Sequence, residues 1–503
     1  MILTFTHQRM FYGRLLSALS ALVLFSTIAQ AQSDIISAQP EGLIKTFDLS
    51  TTQVYQRNQY EFSGIKMDLV YQGDTTVYFP DIVTAFGFGT YVRGQVSGDT
   101  ILIKSGQHVF HQDPVYNYME LDLYAQPCLK NGSTANVLGD EYIKFLRNAD
   151  GSLSSIGDTG IAYVDQYGDL IGYNTDYLFR PFDLLTDSVV APIDISDSAY
   201  CMSYTDNFGN PIYRLVNLRF ASDGVYLQGV SEQRAPQSWI HGTWDNDKLV
   251  FASRQYQGVA EVSFLDFIYG GTQDYSQSLG YRLDSAIVFD YDDGSKAFTT
   301  SQSLLETYGD KILISSYDAP TLTPYTPHEA VPQKPGMLGY SDYYASSGFD
   351  VIRFNIAPVD ENGNYITPDS ITWRLIKDGE PYTFTTDKYH QLSQDQQVFN
   401  WGFADNIDIV FEACGLYNIW FYDAWNELQL ECTYTYNGHA HTAISDKMVS
   451  TGISLVNSAP KSVSSVSYTD LAGRTTNADA TGILIKKTTF ADGSTKVEKI
   501  IRR

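Results

Sequence analysis

The sequence predicts an all-β protein: duplicated antiparallel β-units, then an immunoglobulin-like β-sandwich and a small C-terminal β-hairpin tail. Three observations carry this reading. Apolar blocks recur at a constant offset, short alternating runs are punctuated by Gly, Asn and Asp, and no long amphipathic helical pattern follows the first thirty residues. Tyr (37) and Phe (27) are abundant, which suits pleated, half-buried surfaces. The same abundance leaves open a second use, as exposed aromatics that bind carbohydrate.

The chain opens on Arg9 and Arg14, an apolar run from Leu15 to Ile28, and the small-residue pattern Ala29-Gln30-Ala31. This is the layout of a secretory signal peptide, assigned to 1–31. The apolar run is short for a bilayer span of about 20 residues, and no transmembrane helix is expected in the mature chain. Export makes the outer cell surface or the medium the expected destination.

The repeat occupies the next 280 or so residues. Val225-Tyr226-Leu227 follows Val77-Tyr78-Phe79, Trp239 follows Tyr91, Leu249 follows Ile101, and Gln255 follows Gln107, each by 148 residues. Asp150-Gly151 and Asp293-Gly294 mark equivalent turns, and Tyr167-Gly168-Asp169 reappears as Tyr308-Gly309-Asp310. Two β-units follow, 45–190 and 195–320, expected to pack together because the join lacks linker composition. Tyr91 and Trp239 are expected as equivalent core positions. Pro320, Pro324, Pro327, Pro332 and Pro335 then suggest an extended spacer, set at 321–336.

Residues 337–455 read as the sandwich. Phe349 to Ile356 alternates with period two, Asp378-Gly379 and Asn437-Gly438 are hairpin turns, and six or seven short strands fit the length. From Val456 the chain turns basic, and Ile483-Leu484-Ile485, Asp492-Gly493 and Val497 to Ile501 predict a terminal hairpin within 456–503.

In that tail, Val466 to Arg474, with Tyr468, Asp470, Gly473 and Arg474, resembles the x-Y-D-L-x-G-R strand of C-terminal sorting domains on proteins exported by Bacteroidetes. Thr481-Gly482-Ile483-Leu484-Ile485 is similar to their G-x-Y-x-V strand, and Lys499-Ile500-Ile501-Arg502 to their ending. The resemblance covers about the last 40 residues and lacks the upstream Tyr-Pro-Asn-Pro segment. It implies a β-module read by the type IX secretion machinery, so that both termini engage export machinery. Trp425 to Leu430 and Tyr434 to Gly438 also resemble uncharacterised secreted proteins of the same bacteria.

A net charge of −25 opposes binding to nucleic acid and anionic membrane. Four cysteines without a CxxC pair exclude a cysteine zinc site. Cys414 and Cys432 are a candidate disulfide, and Cys128 with Cys201 a weaker one. The sequence holds no G-x-S-x-G elbow, HExxH, Walker A or dinucleotide fingerprint, so no cofactor is expected and the catalytic residues, if any, are unknown. His439 and His441 share a strand face but lack a third ligand. Asp290, Asp292, Asp293 and the run Asp360 to Gly363 read as turn tips, because the calcium-loop spacing fails. Two function classes remain: a non-catalytic surface protein, adhesive or glycan-binding, and a secreted glycoside hydrolase or other polysaccharide-acting enzyme carrying two carboxylates in a cleft.

Overall fold

A computed structural model describes residues 35–450 and 463–502, apart from 57, 83–88, 115–119, 133, 140–141, 207–208, 232–233, 261–263, 342, 344–346, 413–414, 471–473, 478–479, 481 and 491–494. The segment assigned as signal peptide, the turn at Asp492-Gly493, Cys414 and Gly473 lie outside the described residues. The chain divides into two compact units after His328. The architecture is all-β throughout.

The first unit contains two barrels of one design. The strands of the first are β1 (Leu43–Tyr55), β2 (Asn58–Gln72), β3 (Thr76–Pro80), β4 (Tyr91–Ser97), β5 (Thr100–Lys104), β6 (Gln107–Gln112), β7 (Leu121–Asn131), β8 (Thr134–Val137), β9 (Tyr142–Arg147), β10 (Leu153–Ser155), β11 (Thr159–Asp165) and β12 (Leu170–Pro181). Eight form a closed antiparallel ring, β1-β2-β3-β4-β5-β9-β10-β12, because β12 returns to pair with β1. The inner edge of β12 is shared. Its start pairs with β11 and its end with β10, so β11-β7-β6 peels away as a side leaf, with β8 on β7.

The second barrel repeats this order. Its strands are β13 (Ser198–Thr205), β14 (Pro211–Ala221), β15 (Gly224–Gln228), β16 (Trp239–Asp245), β17 (Lys248–Ala252), β18 (Gln255–Val259), β19 (Leu265–Gln273), β20 (Tyr281–Asp284), β21 (Ala286–Asp292), β22 (Ala297–Thr299), β23 (Ser303–Tyr308) and β24 (Ile312–Pro324). The ring β13-β14-β15-β16-β17-β21-β22-β24 closes through β13 and β24, and β23-β19-β18 is its leaf.

The repeated blocks are the barrel interiors. Val77 and Val225, Phe79 and Leu227, Ile101 and Leu249, and Ile103 and Phe251 are all buried in the two cores. Each such side chain gains roughly 1.5–3 kcal/mol by leaving water, which fixes their apolar character in both copies. Gly94 and Gly242 complete the packing. A Cβ at Gly94 would lie 2.7 Å from Ile101 Cγ2, and one at Gly242 3.0 Å from Leu249 and Phe251 atoms.

The repeated glutamine has a separate task. Gln107 Oε1 accepts from the Arg93 backbone N–H (2.8 Å), and its Nε2 donates to the carbonyls of Arg93 (2.8 Å) and Lys104 (3.1 Å). Gln255 makes the same three bonds to His241 and Ala252. The amide stands in for a strand's backbone and ties each leaf to its ring where the ladder has ended.

Tyr91 and Trp239 do occupy equivalent positions, the first residues of β4 and β16. Both are half-buried, so neither is a core residue as expected; the Arg219 guanidinium covers the Trp239 ring at 4.5 Å. One repeat correspondence shifts. Strand pairing aligns Asp165 with Tyr308, so the two Tyr-Gly-Asp triplets sit two residues out of step around equivalent turns. The proline run is also corrected. Pro320 and Pro324 lie inside β24, where Ala319 adopts φ +44° at a register shift against β13. A bulge removes the ladder bond that proline cannot make, so the strand tolerates it. Pro332 bridges to Asp360, which places the later part of the expected spacer against the sandwich.

The barrels pack against each other inside the first unit, as expected. A Cβ at Gly64 (φ +71°) would lie 2.3 Å from the Gly309 nitrogen, and Gly309 has φ +56°. Beside this contact, Ser63 Oγ accepts from the Asp310 backbone N–H at 2.9 Å. Asp48, almost wholly buried, accepts from the Gly64 N–H (3.0 Å) and from Arg254 of the second barrel (2.6 Å).

The second unit holds a two-sheet sandwich. One sheet runs β25 (Gly336–Ser341), β26 (Asp350–Asn355), β31 (Leu416–Phe421), β30 (Ile409–Glu412). The other is built on β28 (Glu380–Pro381), β27 (Ile371–Lys377), β32 (Glu427–Tyr436) and β33 (His439–Ile444), with β29 (Phe399–Asn400) and β34 (Met448–Val449) alongside. Phe354, Tyr417 and Ile419 from the first meet Trp373, Leu430 and Tyr434 from the second in one core. Asp378-Gly379 and Asn437-Gly438 have positive φ at both positions, the geometry of two-residue hairpin turns. The tail is a four-stranded sheet, larger than the hairpin expected: β36 (Thr475–Thr476), β35 (Val463–Asp470), β37 (Gly482–Phe490), β38 (Thr495–Arg502).

The inter-barrel contact gives a matched test. Gly168 also has positive φ, but a methyl added there would meet nothing within 4 Å. Gly168→Ala is therefore expected to cost about 1–2 kcal/mol from backbone strain alone. Gly64→Ala should cost clearly more in urea unfolding, because it adds the clash with Gly309.

Candidate functional site

The end of the second barrel gathers aromatic side chains at three hairpins. Phe220 closes β14, Trp244 stands near the end of β16 and Tyr291 near the end of β21, each just before its turn. They surround Phe298, which is fully buried and serves as their floor. Tyr291 lies 4.8 Å from it, Trp244 6.0 Å and Phe220 6.3 Å, centroid to centroid. Trp244 and Tyr291 meet edge to face at 5.3 Å. Trp244 is 40% exposed and Phe220 39%, so a fixed aromatic surface faces solvent.

Carboxylates ring this surface because the turns are made of Asp, Asn and Gly. Asp223, Asp245, Asp247, Asp290, Asp292 and Asp293 all belong to these hairpin ends. Asp290 pairs with Lys248 at 2.8 Å, and Asp293 with Lys296 at 2.5 Å. Asp292 accepts from the Gly294 N–H (3.0 Å) and the Ser295 hydroxyl (2.7 Å), which lowers its pKa. The aspartate cluster singled out in the sequence is thus a set of turn tips, and it borders the aromatic surface.

Strand pairing aligns this surface with its counterpart in the first barrel. Tyr71, Val96, Arg147 and Leu153 hold the positions of Phe220, Trp244, Tyr291 and Phe298. There Lys45 sits over Tyr71 at 4.7 Å. The barrel end therefore closes without aromatics at the positions of Trp244 and Tyr291, where the two copies differ. Sequence reading named neither Trp244 nor Tyr291; the offset of 148 carries the signal, since it maps Trp244 onto Val96.

A pair of carboxylates buried together lies elsewhere, on the leaf of the second barrel. Asp266 on β19 and Glu306 on β23 are diagonal neighbours, both nearly inaccessible. Ser231 and Tyr317 donate to Glu306 at 2.5 and 2.8 Å, and Arg234 lies 3.9 Å away. Burial, then the adjacent Glu306 charge and a hydrogen bond to it, push Asp266 up to about 9. Glycoside hydrolysis needs carboxyl groups held roughly 5–10 Å apart around a sugar, so this pair is a structural acid dyad.

The remaining sequence candidates are dispersed. His441 pairs with Glu329 at 2.8 Å while His439 is exposed. Asp360 caps its own turn through the N–H groups of Asn362 and Asn364, both at 2.8 Å. Cys432 is a fully buried thiol whose pKa burial pushes up to about 12; its expected partner Cys414 lies outside the described residues. Cys128 and Cys201 are free thiols in different barrels. Cys128 and Cys201 cannot bridge to each other, because each is buried within its own barrel. In the tail, Tyr468 and Asp470 lie on β35, Arg474 just before β36, Gly482 opens β37 and Lys499 lies on β38 opposite Ile485. No helix among the described residues is long and apolar enough to cross a membrane. No protein-family model matches the chain, and no curated protein matches it.

The acid dyad has a defined pH signature. Asp266 keeps its proton in the folded chain up to about pH 9 but loses it near 3.8 when unfolded. Its contribution is full below that lower value and is lost progressively as pH rises to the higher one. Asp266→Asn, which stays neutral, should gain in melting temperature relative to wild type as pH is raised from 5 to 9.

Proposed function

We propose that this is a non-catalytic, exported surface protein that binds glycans through the aromatic end of its second barrel. The observation that carries the reading is the exposed Trp244 and Phe220, with half-buried Tyr291, on a buried Phe298, bordered by carboxylates. The apolar face of a hexose ring suits flat aromatic side chains, and its hydroxyls suit carboxylate acceptors. Binding of this kind needs a preformed surface and a few polar groups at its edge. The counterpart end of the first barrel offers Val96, Arg147 and Lys45 beside Tyr71, so of the two barrel ends the second is the aromatic one.

Export supports the same reading. The N-terminal pattern at 1–31 and the tail motif are the two addresses, and the type IX route would carry the chain past the periplasm to the outer surface. The tail strands form a sheet of their own, as a recognition module requires.

Two experiments test this. The purified protein on a glycan array is expected to retain hexose polymers, and Trp244→Ala should weaken that binding by about tenfold, near 1.4 kcal/mol, with the melting temperature nearly unchanged. Equal binding by Trp244→Ala, or no glycan retained, overturns the site. Separately, a chain ending at residue 455 should accumulate in the periplasm; its normal arrival at the surface overturns the role given to the tail.

A further inference from the structure

We infer that the leaf of the first barrel carries a divalent metal site of the zinc class, formed by His111, Asp122 and Glu120. An imidazole nitrogen and one oxygen from each carboxylate lie within 4.8 Å of one another. Zinc holds such atoms at about 2.0–2.2 Å, which sets its ligands about 3.4 Å apart in a tetrahedron. Glu120 is exposed and closes the remaining distance by rotating; His111 Nδ1 and Asp122 Oδ1 meet at 2.7 Å in a hydrogen bond, which an ion would open to the ligand spacing with release of its proton.

The local fold explains the convergence. His111 and Asp122 are directly opposed on β6 and β7, and Glu120 precedes Asp122 by two, on the same face of the extended chain. His108 and His111 are three apart and would face opposite ways on a regular strand. A bulge between His108 and Phe110 restores a common face, so both rings reach one oxygen of Asp122, at 2.8 and 2.7 Å. His108 is buried and stacked on Tyr124 at 4.8 Å, which locks its hold on the carboxylate. Gln166 grips the backbone between the two acids, accepting from the Asp122 N–H at 3.0 Å and donating to the Glu120 carbonyl at 2.7 Å. Outer partners that fix ligand orientation in this way are typical of metal centres.

The second barrel is an internal control. It has the same bulge, yet Tyr256, Val259 and Leu265 stand where the first has His108, His111 and Asp122. Strand pairing puts Gly309 in the place of Gln166, and the sequence has Ser263 in place of Glu120. The fold is satisfied with neither an imidazole nor a carboxylate at these positions, so the polar set in the first barrel serves another purpose. One imidazole with two carboxylates favours zinc, manganese or nickel over calcium, which prefers oxygen alone.

The test is zinc binding by tag-free, chelator-stripped protein, followed by competition with a chromophoric chelator and by thermal melting. One zinc ion per chain is expected, with a higher melting temperature in its presence. His111→Gln and the exposed Glu120→Gln should each weaken zinc binding at least about tenfold, while their metal-free melting stays close to wild type. His441→Gln should bind as wild type does. Absence of stoichiometric zinc, binding unchanged in His111→Gln and Glu120→Gln, or binding lost only in His441→Gln would each overturn the site.

Discussion

The structure depends on how each closing strand divides its hydrogen bonds. A ring of eight strands closes only if the last strand pairs with the first. β12 does so from Gly172 to Pro181 and β24 from Asp318 to Pro324, and each splits its other side between the ring and the leaf. The leaf must then be held where no ladder remains. Gln107 and Gln255 supply that hold with one side-chain amide each, and buried leaf residues such as Leu123, Tyr163 and Ile268 join the barrel cores. Aromatic rim, acid dyad and histidine cluster all sit on elements whose placement follows from this division.

Duplication made the core legible. Residues that fill a barrel must stay apolar and of similar volume, so their spacing persists as an offset visible without any structure. The hairpin turns were legible for a related reason, since Asn-Gly and Asp-Gly are nearly the only residues that accept two positive φ angles in succession. What the sequence hides depends on breaks in regularity. Pro320 and Pro324 read as a spacer because neither the bulge at Ala319 that accommodates the first nor the strand end that accommodates the second has a signature. His108 and His111, three residues apart, share a face only because of the bulge at Val109, which strand parity does not reveal.

The two copies also show what is scaffold and what has been added to it. Where both barrels carry the same residue type, packing is sufficient cause. Where they differ at an aligned position, as Trp244 differs from Val96 or His111 from Val259, the fold has shown itself indifferent to the choice. Such positions are where a requirement other than folding selects the side chain. They fall at opposite kinds of place in the two copies: the hairpin ends of the second barrel and the leaf of the first.

The contact at Gly64 and Gly309 has a consequence for assembly. It is a head-to-tail contact, since the first barrel offers the Ser63-Gly64 socket and the second the Tyr308-Gly309-Asp310 turn. Contacts of that kind propagate without end when every unit carries both halves. Here each barrel carries one. The first has no matching plug: its equivalent turn puts Gln166 where the second has Gly309. The second has no socket: its hairpin lacks the register shift at Ser63-Gly64, Tyr213 alone stands in their place, and Cys201 stands where the first has Asp48. A side chain at the position of Gly64 leaves no room for an incoming turn, and a thiol cannot replace the carboxylate that receives Arg254. Splitting the two halves between the copies terminates the series at two, and keeps a duplicated module from becoming a fibre.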